Sequence, residues 1–224
     1  MKPISIKSVL PVRAADEIRA AIVRGALPPG ARIKQEELAA HLGVSREPIR
    51  QALLLLQGEG LVCAAPGRTA TVAALDPEFI ADVYELRELI EGLVAATLAK
   101  RPAFDLSHLD DIIDRGCKAV RSGNVTQLID LDVAFHSALY EAANKRVLID
   151  VMRGQWNHIR RVMGMVLRKS GYPERVWKEH AAILEAMRSG NPRRARAVAA
   201  HHTHAAKLLL LGPLATPREE NGIS

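Results

Sequence analysis

Cysteine is almost missing: Cys63 and Cys117 are the only two in 224 residues, far apart and without CxxC spacing. That excludes a disulfide scaffold and a cysteine-built zinc or redox motif, and leaves two reduced small hydrophobes. Aromatic residues are scarce too, at 4%. With Ala, Leu, Arg and Glu dominant, this favours aliphatic, helical packing over a sheet-rich fold. No apolar run approaches the roughly 20 residues of a membrane span. The first 16 residues carry Lys2 and Lys7 but lack the apolar stretch of a signal peptide. The expectation is a cytoplasmic chain with no membrane partner. No internal repeat or low-complexity tract occurs.

What is present is an ordinary globular balance, 48% hydrophobic and 25% charged, with a formal charge of +6 and a pI near 9.6. A basic balance suits a polyanionic partner. The excess is uneven. Residues 1–75 hold ten basic and six acidic side chains, net +4, which leaves +2 for the longer remainder.

Turn residues divide the chain into elements. Apolar Ala15, Ile18, Ala21 and Ile22 predict a helix over 12–24, stopped by Gly25, and Leu27-Pro28-Pro29-Gly30 cannot continue it. Residues 36–42 form a short helix broken by Gly43. Ser45 can cap the next, which runs over 46–57 with Ile49, Ala52, Leu53 and Leu56 inward. Two short β-like runs, 61–64 and 69–73, flank Ala65-Pro66-Gly67-Arg68 as a hairpin. After Asp76-Pro77, six helical segments are predicted: 78–99, 105–121, 124–143, 146–168, 174–188 and 192–211. The fold expected is mainly α. It comprises a winged helix-turn-helix over 1–75, a six-helix antiparallel bundle over 76–212 and a flexible tail over 213–224.

Two short helices joined by a glycine turn and followed by a hairpin make up the winged helix-turn-helix, whose second helix enters the major groove. Ala39 permits close helix contact, Gly43 turns the chain, and Val44 and Ile49 plug the core. Arg46 and Arg50 share one exposed face, where arginine pairs with guanine or fixes a phosphate. Ser45 at the helix start can contact phosphate. The string Leu38-Ala39-x-x-Leu42-Gly43-Val44-Ser45-Arg46-x-Pro48-Ile49-Arg50-x-Ala52-Leu53, with Pro28-Pro29-Gly30 before it and Gly58-Glu59-Gly60-Leu61-Val62 after it, closely resembles the GntR family of regulators over about residues 12–73. The resemblance implies double-stranded DNA as partner, with wing contacts from Gly67 and Arg68. A basic residue that some members carry in the second helix is replaced by Glu36 and Glu37, so Lys34 is the nearest substitute.

Four metal-competent side chains fall on apolar stripes of three bundle helices. Asp132 and His136 stand one turn apart beside Leu128, Leu131, Phe135 and Leu139; His180 is centred among Val176, Trp177, Ile183, Leu184 and Met187; His202 is centred among Ala195, Val198, Ala199, Ala206 and Leu209. Burying an ionised Asp and three imidazoles without partners is costly, and one divalent cation satisfies all four. Such a donor set suits Zn²⁺, or alternatively Ni²⁺, Mn²⁺ or Fe²⁺, with open positions for water or an anionic ligand. His201 and His204 turn off the stripe. Asp132-x-x-Phe135-His136, Asn144, Glu179-His180 and His202 are similar to the FCD domain of the FadR branch of GntR regulators, over about residues 78–210. Six helices rather than seven resemble its VanR-like subgroup. That resemblance implies a metal-anchored pocket that receives small carboxylic acids. Arg87 interrupts the stripe Ile80, Val83, Ile90 and Val94, and a buried arginine needs an anion: either an acid ligand or a neighbour such as Glu91. Gln155 lies on the stripe Leu148, Met152, Ile159 and Met163 with Arg160 at its border. Arg87, Gln155 and Arg160 are therefore the candidate effector contacts.

The reading is a homodimeric DNA-binding regulator, a repressor at a palindromic operator, controlled by a small carboxylate at a metal-containing pocket, and not an enzyme. Two alternatives are a metal-dependent enzyme domain fused to a DNA-binding head, and a sequence-neutral architectural DNA protein. The first lacks an HExxH-type pairing of ligand and base, and Glu179 beside His180 points off the stripe. The second leaves the pocket constellation unexplained.

Overall fold

Proline and glycine punctuate the chain where the sequence places them, and the helices form between. The computed structural model describes residues 9–63, 69–101, 105–170 and 174–215. It divides into two compact units, Met1–Leu75 and Asp76–Ser224.

In the first unit, α1 (Leu10–Arg24) starts two residues earlier than the apolar pattern suggests, because Pro11 fits a first helical turn, where its missing N–H has no partner to lose. Gly25 ends it at φ 78°. Next come α2 (Gln35–Leu42) and α3 (Arg46–Gly58), joined through Gly43 at φ 65°, a left-handed turn that a β-carbon would strain. Ser45 has the extended backbone of a cap, but its hydroxyl makes no capping bond, so the expected side-chain cap is not formed. The wing is β1 (Val62–Cys63) paired antiparallel with β2 (Thr71–Val72), in register Val62↔Val72 and Cys63↔Thr71. Its tip, residues 64–68 with Gly67 and Arg68, lies outside the described residues. The other edge of β2 is paired as well. Arg32 bridges Thr71, the Ile33 N–H donates to the Ala70 carbonyl at 2.8 Å, and the Val72 N–H donates to the Ala31 carbonyl at 2.9 Å. The segment after Pro28-Pro29-Gly30, read from sequence as a plain turn, thus anchors the wing. Ile18, Ile22, Ile49, Ala52, Leu53, Leu56, Leu61 and Val72 fill the core beneath it.

The second unit is a bundle of α4 (Pro77–Leu98), α5 (Ser107–Ser122), α6 (Val125–Ala142), α7 (Arg146–Ser170), α8 (Arg175–Arg188) and α9 (Pro192–Ala215). Asp76, Asn124 and Asn191 cap α4, α6 and α9, accepting from the N–H groups of Glu78 at 3.0 Å, Gln127 at 3.1 Å and Arg193 and Arg194 at 3.1 Å. α9 runs past Gly212 to Ala215, further than the sequence suggested; Pro213 lies in the final turn, where its missing N–H costs one intrahelical bond. Residues 216–224 of the expected tail lie outside the described residues. α4 lies along α9 so closely that a β-carbon at Gly92 would sit 3.2 Å from Arg196 Cγ. α5 and α8 close similarly: a β-carbon at Gly116 would fall 2.3 Å from the Trp177 ring. No helix among the described residues is long and apolar enough to cross a membrane.

Candidate functional site

Asp132 and His136 on α6, His180 on α8 and His202 on α9 meet inside the bundle. One ligand atom from each lies within 4.8 Å of all the others, and all four residues are buried. The apolar stripes explain the convergence: each helix turns its hydrophobic face to the core and carries the ligand-bearing position with it. His180 Nε2 lies 3.4 Å and His136 Nε2 4.0 Å from Asp132 Oδ1. The His180 ring stacks on Phe135 at 4.4 Å and meets Trp177 edge-on at 4.8 Å.

Two imidazoles are oriented by carboxylates that the stripes did not flag. His136 Nδ1 lies 2.7 Å from Glu91 Oε2, and His202 Nδ1 lies 2.9 Å from Glu179 Oε2. Burial opposes the charge on Glu91, yet His136 and Arg87 outweigh it and hold that carboxyl well below its usual range. The hydrogen bond from His202 lowers Glu179 likewise. An ionised carboxylate only accepts, so each histidine donates from Nδ1, and His136, kept neutral by burial, retains a lone pair on Nε2. His136 Nε2 and both nitrogens of His180 are buried without a hydrogen-bond partner. Burial pushes both imidazoles below their ordinary pKa, His180 furthest, where His202, His136 and Arg87 add to the effect. Neutral rings with unused lone pairs beside a carboxylate fit a divalent cation, and carboxylate-backed histidines are the usual outer shell of such a site. Ligands about 2.1 Å from one ion lie about 4.2 Å apart at most and about 3.4 Å apart in a tetrahedral set, so the widest pair must close by about 0.6 Å or more.

Arg87 is 1% exposed on α4, above the cluster. Its Nε donates to Glu91 Oε1 at 3.0 Å, and the Tyr140 hydroxyl donates to the same oxygen at 2.9 Å. Tyr84 and Trp156 hold the guanidinium between their rings at 5.1 and 5.3 Å. Nη2 forms an ion pair with Glu91 Oε1 at 3.0 Å but makes no aligned hydrogen bond. The pairing with Glu91 foreseen for Arg87 therefore exists and leaves donors over. Arg87, Asp132 and His202 line one small cavity of about 20 Å³. Gln155 and Arg160 do not line it: Gln155 has a buried Oε1 without a partner elsewhere on α7, and Arg160 is 3.4 Å from Asp130 at the bundle surface. Glu179 was placed off the site by its stripe position, whereas its carboxylate reaches His202. Asn144 is exposed in the left-handed region at φ 52°, where it ends α6. His204 pairs with Glu88 at 3.3 Å and is no part of the cluster.

At the other unit, Arg46 and Arg50 stand exposed on α3, as their spacing predicts. Each holds an acidic neighbour: Arg46 with Glu36 at 2.9 Å, Arg50 with Glu47 at 2.7 Å. Hydrogen bonds from Arg50 and Gln51 hold the Glu47 carboxyl down at about 2. Lys34 is likewise paired, with Glu37 at 2.7 Å.

A helix-turn-helix with a short wing, joined in one chain to a helical bundle with a polar cluster in its centre, defines a DNA-binding regulator with a sensor domain. The family model for bacterial regulatory proteins of the gntR family matches residues 10–72, and that for the FCD domain matches residues 82–205. An HTH-type transcriptional regulator in an unstable DNA locus of Streptomyces ambofaciens is 30% identical over 191 residues, covering 84% of this chain and 80% of its own. The gluconate operon transcriptional repressor of Bacillus licheniformis is 28% identical over 153 residues, 68% of this chain and 61% of its own. A solved structure from Rhodococcus sp. RHA1, described as a transcriptional regulator GntR, aligns with TM-score 0.79 and 27% identity over 92% of this chain and 99% of that one. The chain belongs to the GntR family and carries an FCD domain; it is a transcription regulator and not an enzyme.

Proposed function

We propose that the chain is a homodimeric repressor whose affinity for a palindromic operator is set by a small carboxylate, bound at a divalent metal held by Asp132, His136, His180 and His202. The observation that carries this is the set of unused lone pairs on His136 and His180, buried beside Asp132 with no protein donor to satisfy them. Three imidazoles and one carboxylate favour Zn²⁺, with Ni²⁺, Mn²⁺ and Fe²⁺ as alternatives. The ion would supply a Lewis-acidic contact for a carboxylate, and the spare N–H groups of Arg87 would take that ligand's second oxygen. Six bundle helices fit the VanR-like subgroup. The repressor named for a gluconate operon supports the direction of control.

DNA contacts fall to Arg46, Arg50, Ser45 and Lys34, with Gly67 and Arg68 at the wing. A ligand spanning the metal and Arg87 would tie α6, α8 and α9 to α4, and α4 begins two residues after the first unit ends. A coupling of about 1–3 kcal/mol between the two sites would change operator affinity about 5- to 150-fold. Exposed Leu86, Leu89 and Leu93 on α4, with Val147 and Val151 on α7, supply an apolar face for the second copy. The lining of one surface groove places Leu93 beside Val147.

The decisive experiment measures metal content by mass spectrometry, and thermal stability with and without Zn²⁺, for the native chain and His180→Ala. Bound metal, stabilisation by Zn²⁺, and loss of both in the variant with operator affinity retained are the expected results. A metal-free chain indifferent to Zn²⁺, Ni²⁺ and Mn²⁺ would sink the reading.

A further inference from the structure

We propose that the ligand of this cavity is a monocarboxylate with an apolar body, not a polyhydroxylated acid. The inference rests on the anchored carboxylate described above and adds the chemistry of the remainder of the molecule.

Among the described residues, the polar groups of the cavity wall are confined to four, Tyr84, Arg87, Asp132 and His202. Three of these belong to the anchoring end, and Tyr84 lies against Arg87. The rest of the wall is Met163, Leu167, Val176, Ala206, Leu209 and Leu210. Along α9 the lining positions run from His202 through Ala206 to Leu209 and Leu210. At 1.5 Å per residue this carries the apolar wall about 12 Å away from the anchoring imidazole. Along α7, Met163 and Leu167 continue the same surface over one turn. Arg87, which lines the cavity and whose Nη2 pairs with Glu91 without an aligned hydrogen bond, marks the end at which an anion would be held. A ligand seated there by its carboxylate must therefore lay its remaining carbons against methyl and methylene groups. Hydroxyls on those carbons would lose water and, beyond His202, find no partner among the described lining residues of α7 and α9, a penalty of roughly tenfold or more in affinity for each one buried unpaired. Each methylene buried on the same wall instead gains about fourfold.

A homologous series tests this on the full-length chain loaded with Zn²⁺. Calorimetric titration with acetate, propanoate, butanoate and pentanoate should show affinity rising about fourfold per carbon, with gluconate weaker than pentanoate by more than tenfold. The substitution Leu209→Asn, at a half-buried position, should weaken pentanoate and leave acetate unchanged. If all four acids bind alike in a Zn²⁺-dependent way, or gluconate outcompetes pentanoate, the apolar body is wrong while the metal-anchored carboxylate stands. If no acid binds, or binding is the same after the metal is stripped, the anchoring itself fails and this inference falls with it. Because the series is run on the native chain, a poorly folding variant does not decide the matter.

Discussion

Glu91 shows how much of the centre depends on one side chain that touches no metal. It accepts from Arg87, His136 and Tyr140 at once, and removing its charge leaves three buried donors sharing a weaker acceptor. Glu91→Gln keeps the shape but can present an amide N–H to His136, which disturbs the tautomer that frees Nε2. Outer-shell substitutions typically cost 10- to 100-fold in metal affinity, and a competitive chelator titration should show a loss in that range. The buried imidazoles also predict a pH dependence. His136 and His180 have folded pKa values below the ordinary 6.5, so below about that pH the unfolded chain takes up protons that the folded chain refuses. The metal-stripped protein should hold its full stability from these two groups above pH 6.5 and lose it as the pH falls toward 5. Glu91 and Glu179, with lowered pKa values, give their full stabilisation above about 4.5 and lose it only at lower pH, so they do not blur that window. Melting curves at pH 7.5 and 5.5 would show it, and equal melting temperatures would contradict neutral burial.

Among the elements, α8 is held by an unusually close approach. Trp177 packs where Gly116 has no side chain, and His180 is three residues further along the same helix. Gly116→Ala pushes a methyl group into the indole, an overpacking that costs typically 1–3 kcal/mol. It should also displace α8, lowering the melting temperature and Zn²⁺ affinity together. The helices themselves were legible in the sequence because apolar residues recur at helical spacing and Gly or Pro interrupts each run. The four members of the buried Asp and His cluster were legible for the same reason, each being a polar residue on an apolar stripe. Glu179 was not, since helical periodicity describes one helix at a time and its contact with His202 crosses from α8 to α9. Glu91 could be foreseen as the partner of Arg87 one turn away, but its reach to α6 could not. The pairing of residues 31–33 with β2 escaped notice because a short bridge after two prolines leaves no alternating pattern.

For the whole molecule, the proposed two-fold assembly makes a simple prediction. Leu89 is 72% exposed in the middle of the α4 face, and Leu89→Glu should yield a monomer by sedimentation at micromolar concentration while the metal site remains intact. Operator affinity should fall with it, because one recognition helix reads only a half-site. Arg50→Ala, in contrast, should leave the dimer unchanged and weaken specific binding by about 1–3 kcal/mol. The acidic partners of Arg46, Arg50 and Lys34 bear on how such a protein would find its site. Each cation is already paired with an exposed carboxylate, and a passing phosphate must displace that weak surface pair. A backbone contact alone repays that exchange poorly, while a guanine edge that takes two hydrogen bonds repays it better. The pairing therefore discourages lingering on random sequence: the protein would spend less of its time parked between operators, and Glu47→Gln would make it stickier and slower to search.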